Sequence, residues 1–174
     1  MGRCGWRDSH VTGLIEITRL NWLPAGLETL RRESGREGFG FLDRLVVDWT
    51  RGTNTFSRSG EGLLGAFAGG QLVGIGGLNA DPYLPGTDVG RIRHVYVLGV
   101  WRHQGVGRAL IDCFVREAGG LFSELRLRTV TAGAAAFYVR CGFSPVDDPS
   151  ATHSVKLGGC PNGFGTPTSQ SKSS

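Results

Sequence analysis

Arg102, Gly105 and Gly107 stand in the pattern Arg-x-x-Gly-x-Gly, and the residues after them repeat with a helical period. That combination suits anion binding. The first turn of a helix presents unpaired N–H groups and a partial positive charge. Glycine lets a bulky anion come close to the backbone, so a pyrophosphate is a natural guest. Arg102, His103 and Arg108 add positive charge around the loop, which Gln104 and Val106 complete. Two other phosphate loops fail here. A nucleoside-triphosphate loop needs Lys-Ser/Thr after its last glycine, where this chain has Arg108-Ala109. A dinucleotide fingerprint needs a third glycine where this chain has Leu110.

A second constellation lies downstream: Ala134-x-x-Phe137-Tyr138-x-x-x-Gly142-Phe143. With the Val95-Tyr96-Val97 strand end before the glycine loop, these motifs resemble the GNAT N-acetyltransferases. The similarity spans about residues 60–157; the first 60 residues match mainly by a pair of helices. One departure is visible: Thr131 stands where the family often has Asn, and its hydroxyl can still hydrogen-bond. The resemblance implies a mixed, mostly antiparallel twisted sheet flanked by helices (an α/β fold of α+β character), with a splayed parallel strand pair holding acyl-CoA. It implies acetyl-CoA as co-substrate and direct attack of an amine on the thioester. Loop residues 102–108, Val95, Tyr96, Val97, Thr131 and Tyr138 would contact the cofactor. Tyr138 would protonate the departing thiolate, the Val97 amide or a neighbour would face the oxyanion, and Val95 and Val97 would pair with the pantetheine arm.

The base is open. His94 has a suitable intrinsic pKa and sits on the same strand, though a buried sheet histidine reads the same way. Glu61, Asp81 and Asp88 could bind or relay a proton from a cationic amine, or be ordinary turn residues. Cys141 could be a nucleophile or a structural thiol. Arg91 and Arg93 could recognise an anionic substrate, reach CoA phosphates or pair with carboxylates. No metal site is expected, since no His lies at zinc-ligand spacing from the cysteines.

The elements that must position these residues can be read from periodicity. Leu14–Leu20 favours a strand; Ala25–Glu33 and Phe39–Thr50 favour helices, the second with Leu42, Leu45, Val46 and Trp49 on one face. Leu63–Ala68 and Leu72–Leu78 form a hairpin about Gly69-Gly70-Gln71. Arg91–Leu98 is the next strand, followed by a helix with Val106, Ala109, Leu110, Cys113 and Phe114 in one stripe. Leu125–Val130, a short helix Ala134–Cys141 and a strand Thr152–Leu157 complete the order. Residues 1–12 read as a loose leader, 13–157 as one domain and 158–174, rich in Gly, Pro and Ser, as a disordered tail.

Length and composition agree. A chain of 174 residues suits one domain with its own core. Net charge is +4, yet Lys156 and Lys172 are the only lysines and no basic cluster occurs, which argues against nucleic acid. The uncharged stretch Leu63–Ala80 is split by its glycine turn and does not read as a membrane span. Four unpaired-looking cysteines and an N-terminus without an apolar run point to the cytoplasm. The expected partners are acetyl-CoA and an unidentified amine, with the chain a monomer or homodimer. Two alternatives stay open: an acyl-CoA-binding sensor, or a transferase for another acyl group.

Overall fold

Leu63 and Leu64 are neighbours in sequence yet lie in different cores. Successive strand residues point to opposite faces, so a strand that is apolar at consecutive positions must be covered on both sides. The computed structural model of the chain, which describes residues 9–12 and 15–158, shows that covering. In chain order the elements are β1 (Ser9–Thr12), β2 (Ile15–Arg19), α1 (Leu27–Arg36), α2 (Phe41–Thr50), β3 (Gly62–Ala68) and β4 (Gln71–Ala80). There follow β5 (Val89–Val97), a 3₁₀ turn (Gly99–Trp101), α3 (Val106–Ala118), β6 (Glu124–Leu127), α4 (Ala132–Arg140), β7 (Ser144–Pro145) and β8 (His153–Lys156). The strands form one sheet in the order β1-β2-β3-β4-β5-β6-β8-β7. Every neighbouring pair is antiparallel except β5 and β6, so the expected mixed, mostly antiparallel sheet with one parallel pair is what forms.

Helices α1 and α2 cover one face through Leu30, Leu42 and Leu45, which pack with Phe56, Leu63 and Ile75. Helix α3 covers the other with Val106, Leu110 and Phe114 against Leu64, Val73 and Ile92. Two glycines of β4 let both layers approach. A Cβ at Gly76 would lie 3.0 Å from the Phe114 ring, and one at Gly77 would lie 2.4 Å from Phe56 on the opposite side.

Two features position the site. First, β5 pairs with β6 only from Val89 to Arg91, although β5 runs on to Val97. Beyond Arg91 the two strands diverge and a wedge opens between them. Second, β5 is bulged: Arg93 faces Gly77 and Tyr96 faces Ile75, so His94 and Val95 share the single partner Gly76. His94 takes the left-handed conformation there, with φ 57°.

Several boundaries differ from the sequence reading; α1, for one, runs on past Glu33 to Arg36. Ser9–Thr12, read as part of the leader, pairs with β2 as an edge strand; a backbone ladder at an edge needs little apolar pattern. Strand β6 stops at Leu127 rather than Val130, because the Thr129 N–H is taken by the Thr152 hydroxyl and the chain turns toward α4. The two-residue β7 was not read as a strand. Residues 1–8 of the leader and 159–174 of the tail lie outside the described residues.

Candidate active site

The wedge is the mouth of a cleft of about 1240 Å³. A strand's carboxyl end meets a helix's amino end on its floor. Gly105 ends the loop as the N-cap of α3 with φ 83°, a left-handed conformation that favours glycine. Gly107 has a different reason to be glycine: a Cβ there would lie 3.1 Å from the Phe137 ring of α4. His103 is also left-handed, at φ 60°. The cap of α3 makes no side-chain hydrogen bond, so no side chain satisfies the helix's leading amides from that position. Gln104 turns away and donates to the Val100 carbonyl at 2.7 Å.

Glu33 of α1 and Glu37, the residue that follows the helix, clamp this loop, and neither was singled out in the sequence. Glu33 Oε1 accepts from the Gly99 amide at 2.6 Å and from the Tyr96 hydroxyl at 3.1 Å. Glu37 pairs with Arg102 at 2.8 Å. Arg102 also donates to the Val97 carbonyl at 3.0 Å and lies over the Tyr96 ring. The arginine of the loop motif thus ties loop to strand and helix. Burial and Glu33 together hold the Tyr96 phenol above its ordinary pKa. Arg108 is likewise engaged, with Asp112 and the Arg140 carbonyl. The positive charge of these two arginines is therefore partly neutralised.

Tyr138 projects from α4 into the wall of the cleft. Its ring packs edge-on to Phe137 (5.1 Å) and Phe143 (5.9 Å). Burial raises its pKa, with a smaller contribution from Cys141, so the hydroxyl keeps its proton at neutral pH. Thr131 caps α4 by accepting from the Ala134 amide at 3.2 Å. His94 is packed by Phe41 and Phe56, and neither ring nitrogen has a hydrogen-bond partner among the described residues. Burial, with help from Arg93, lowers its pKa to about 4.

Of the residues expected at the site, His94, Val95, Tyr96, Val97 and Tyr138 line the cleft. So do Arg102, His103, Gly105, Gly107, Arg108 and Thr131. Gln104 and Val106 do not; Val106 is buried in the core beneath the loop. The carboxylates considered as relays are engaged or elsewhere. Glu61 is buried and accepts from the Ala80 amide. Asp81 is buried between the Tyr83 amide and Arg91. Asp88 is not among the lining residues. Cys141 does line the cleft, with its thiol held protonated chiefly by burial. The cleft is also lined by Phe39, Phe41, Arg44, Tyr83 and Arg128, which sequence patterns alone did not mark.

A family model described as an acetyltransferase (GNAT) domain matches residues 59–145. Among solved structures, a protein from Exiguobacterium sp. 255-15, provisionally assigned as an acetyltransferase, is 29% identical with a TM-score of 0.73, covering 82% of this chain and 93% of its own. An acetyltransferase of the GNAT family from Staphylococcus aureus Mu50 (15% identity, TM-score 0.58, 81% and 99% coverage) shares the fold. So does Ard1 from Thermoplasma volcanium (22%, 0.55, 79% and 93%). No curated protein matches the chain significantly. The fold is that of the GNAT acyltransferases. The chain belongs to the GNAT acetyltransferase family, whose members take an acyl-CoA co-substrate and an acyl acceptor. Among the described residues no helix is long and apolar enough to cross a membrane.

Proposed function

We propose that the protein is a cytoplasmic N-acetyltransferase that moves an acetyl group from acetyl-CoA to a primary amine within a ternary complex. One observation carries this reading: a single cleft joins an anion-ready helix N-terminus to a buried, protonated phenol. The amides opening α3 would hold the pyrophosphate, and the free edge of β5 beyond Arg91 would pair with the pantetheine arm as a strand does. The amine nitrogen would bond to the thioester carbon while the carbon–sulfur bond breaks, with a backbone amide near Val97 facing the developing oxyanion. Tyr138 would give its proton to the leaving sulfur.

The amine must reach the thioester neutral, although a free alkylamine is protonated below about pH 10. Arg44 and Arg93 form a rim of the cleft and have no side-chain partner among the described residues. Nearby cations disfavour an ammonium ion, so this rim favours the neutral, reactive amine. His94, with both nitrogens away from solvent and a pKa of about 4, is neutral at physiological pH but a weak base. Proton removal through water to bulk fits this arrangement better than through His94.

Thermal unfolding with acetyl-CoA, with NAD and ATP as controls, tests the cofactor. Thiol release against an amine panel tests the transfer. Stabilisation by acetyl-CoA alone, followed by amine-dependent thiol release, is the expected result. Stabilisation without release on any amine would favour the sensor alternative.

A further inference from the structure

Arg91 and Arg93 lie two apart on β5 and line the same cleft, yet they are in opposite situations. Arg91 is buried and fully employed. It pairs with Asp81 at 3.3 Å, donates to the Ser150 carbonyl at 2.5 Å and caps the Tyr83 ring at 4.7 Å. Arg93 is half-buried, and among the described residues no hydrogen bond or ion pair engages its guanidinium. Its register partner is Gly77, whose side-chain direction points at Phe56 in the α1/α2 layer. Arg93 therefore faces α2, where Arg44 is exposed and also without a side-chain partner among the described residues. A guanidinium taken half out of water with no acceptor is costly. Its pKa is lowered by that desolvation and then by Arg91.

We propose that the acyl acceptor carries a carboxylate, bound by Arg93 of β5 together with Arg44 of α2. This rests on the acyltransferase reading above and names the substrate class it leaves open. A carboxylate is the anion that fits best. Arg91 is balanced by its ion pair with Asp81, and the acidic side chain that acts on Arg93 is Asp48 of α2, so Arg93, Arg44 and Asp48 together leave one net positive charge, which a carboxylate neutralises. The planar fork of arginine can take a carboxylate's two oxygens at once, as it can two oxygens of a phosphate. The CoA phosphates have their own site after Val97, which is four strand residues from Arg93, on the order of 13 Å away. Phe39, Phe41 and Tyr83 line the same cleft and supply apolar walls, suited to a carbon chain or ring.

The test compares amines that differ only by a carboxylate: amino acids against their decarboxylated amines, such as lysine with cadaverine and histidine with histamine. Binding to CoA-saturated protein is read by calorimetry and turnover by thiol release, after acetyl-CoA binding has been measured on the same samples. The expected result is at least one pair in which the carboxylated member is favoured tenfold or more. In Arg93→Gln that ratio should fall toward unity, with Arg44→Gln intermediate and acetyl-CoA affinity unchanged in both. Arg93→Lys, which keeps the charge and loses the fork, should recover part of the preference. If acetyl-CoA binds and no carboxylated amine is preferred, or if Arg93→Gln weakens acetyl-CoA instead, this inference is wrong and the acyltransferase reading stands. Failure of acetyl-CoA itself to bind would remove both.

Discussion

His94 is held against two local preferences at once. A non-glycine residue in the left-handed region costs about 1 kcal/mol, and its imidazole is buried with both nitrogens unpartnered. The second fact has a sign in pH. Unfolded, the ring titrates near 6.5; folded, near 4. Between those values the unfolded chain binds the extra proton, so stability falls as pH drops from 6.5 toward 4, by about 3 kcal/mol in all. His94→Phe, which fits an aromatic pocket and cannot titrate, should remove that part of the acid sensitivity. The check is the difference in melting temperature between wild type and variant across pH 4–7; parallel curves would show that the imidazole is not the titrating group. Were His94 the base, kcat/KM would rise only through pH 4 and be level above it. Tyr138 makes a contrasting prediction. Its hydroxyl acts only as sulfur departs, so Tyr138→Phe should lower kcat about 100-fold or more while leaving acetyl-CoA affinity within twofold. Single-turnover kinetics beside a binding isotherm separates the two.

The phosphate loop depends on two glycines for different reasons, and substitution should tell them apart. Gly105→Asp places a side chain in open space but at φ 83°, and sets a carboxylate where an anion should bind. It should cost about 1 kcal/mol of stability, roughly 3 °C in melting temperature, and abolish measurable acetyl-CoA binding. Gly107→Val drives its side chain into Phe137, 3.1 Å from the first added carbon. It should push α4 outward and lower both affinity and turnover, since α4 also carries Tyr138. Equal effects of the two variants on melting and on kcat would argue against this division. Much at this scale was legible in sequence. The stripe of α3 and the stripe of α2 appear as read, because a helix face repeats within a few residues. The clamp from Glu33 and Glu37 was not legible, since it joins residues 63 to 66 positions apart. Nor was the bulge, because His94 occupies a left-handed position without the glycine or asparagine that would mark one. Arg91 and Arg93 read alike in sequence; the Asp81 and Ser150 partners that distinguish them come from the tertiary fold.

At the scale of the whole molecule the sheet has a seam. Strands β1 to β5 form one antiparallel run, while β6, β8 and β7 form another, and the two are laddered together only from Val89 to Arg91. Arg91 reinforces the seam by reaching Ser150, and Arg126 pairs with Asp148 on the smaller side at 2.6 Å. The proposed cofactor would lie in the opened part of the seam, touching β5 and α3 on one bank and α4 on the other. A ligand at 100 times its dissociation constant adds about 2.7 kcal/mol, or roughly 8 °C for a chain of this size. Its effect on local opening should be uneven. Strands β3 and β4 are buried between two helical layers and should exchange their amide hydrogens only through global unfolding. Strands β6 and β8, held by the shorter ladder, should open at lower free energy in the free protein. Acetyl-CoA should then slow exchange in β6, β8 and α4 by more than it slows β3 and β4, bringing the two sides of the sheet toward a common rate. Hydrogen exchange read by mass spectrometry on the free and acetyl-CoA-saturated protein decides this. Uniform protection across both sides would mean that the wedge adds no separate mode of opening, and that the cofactor stabilises the domain only as a whole.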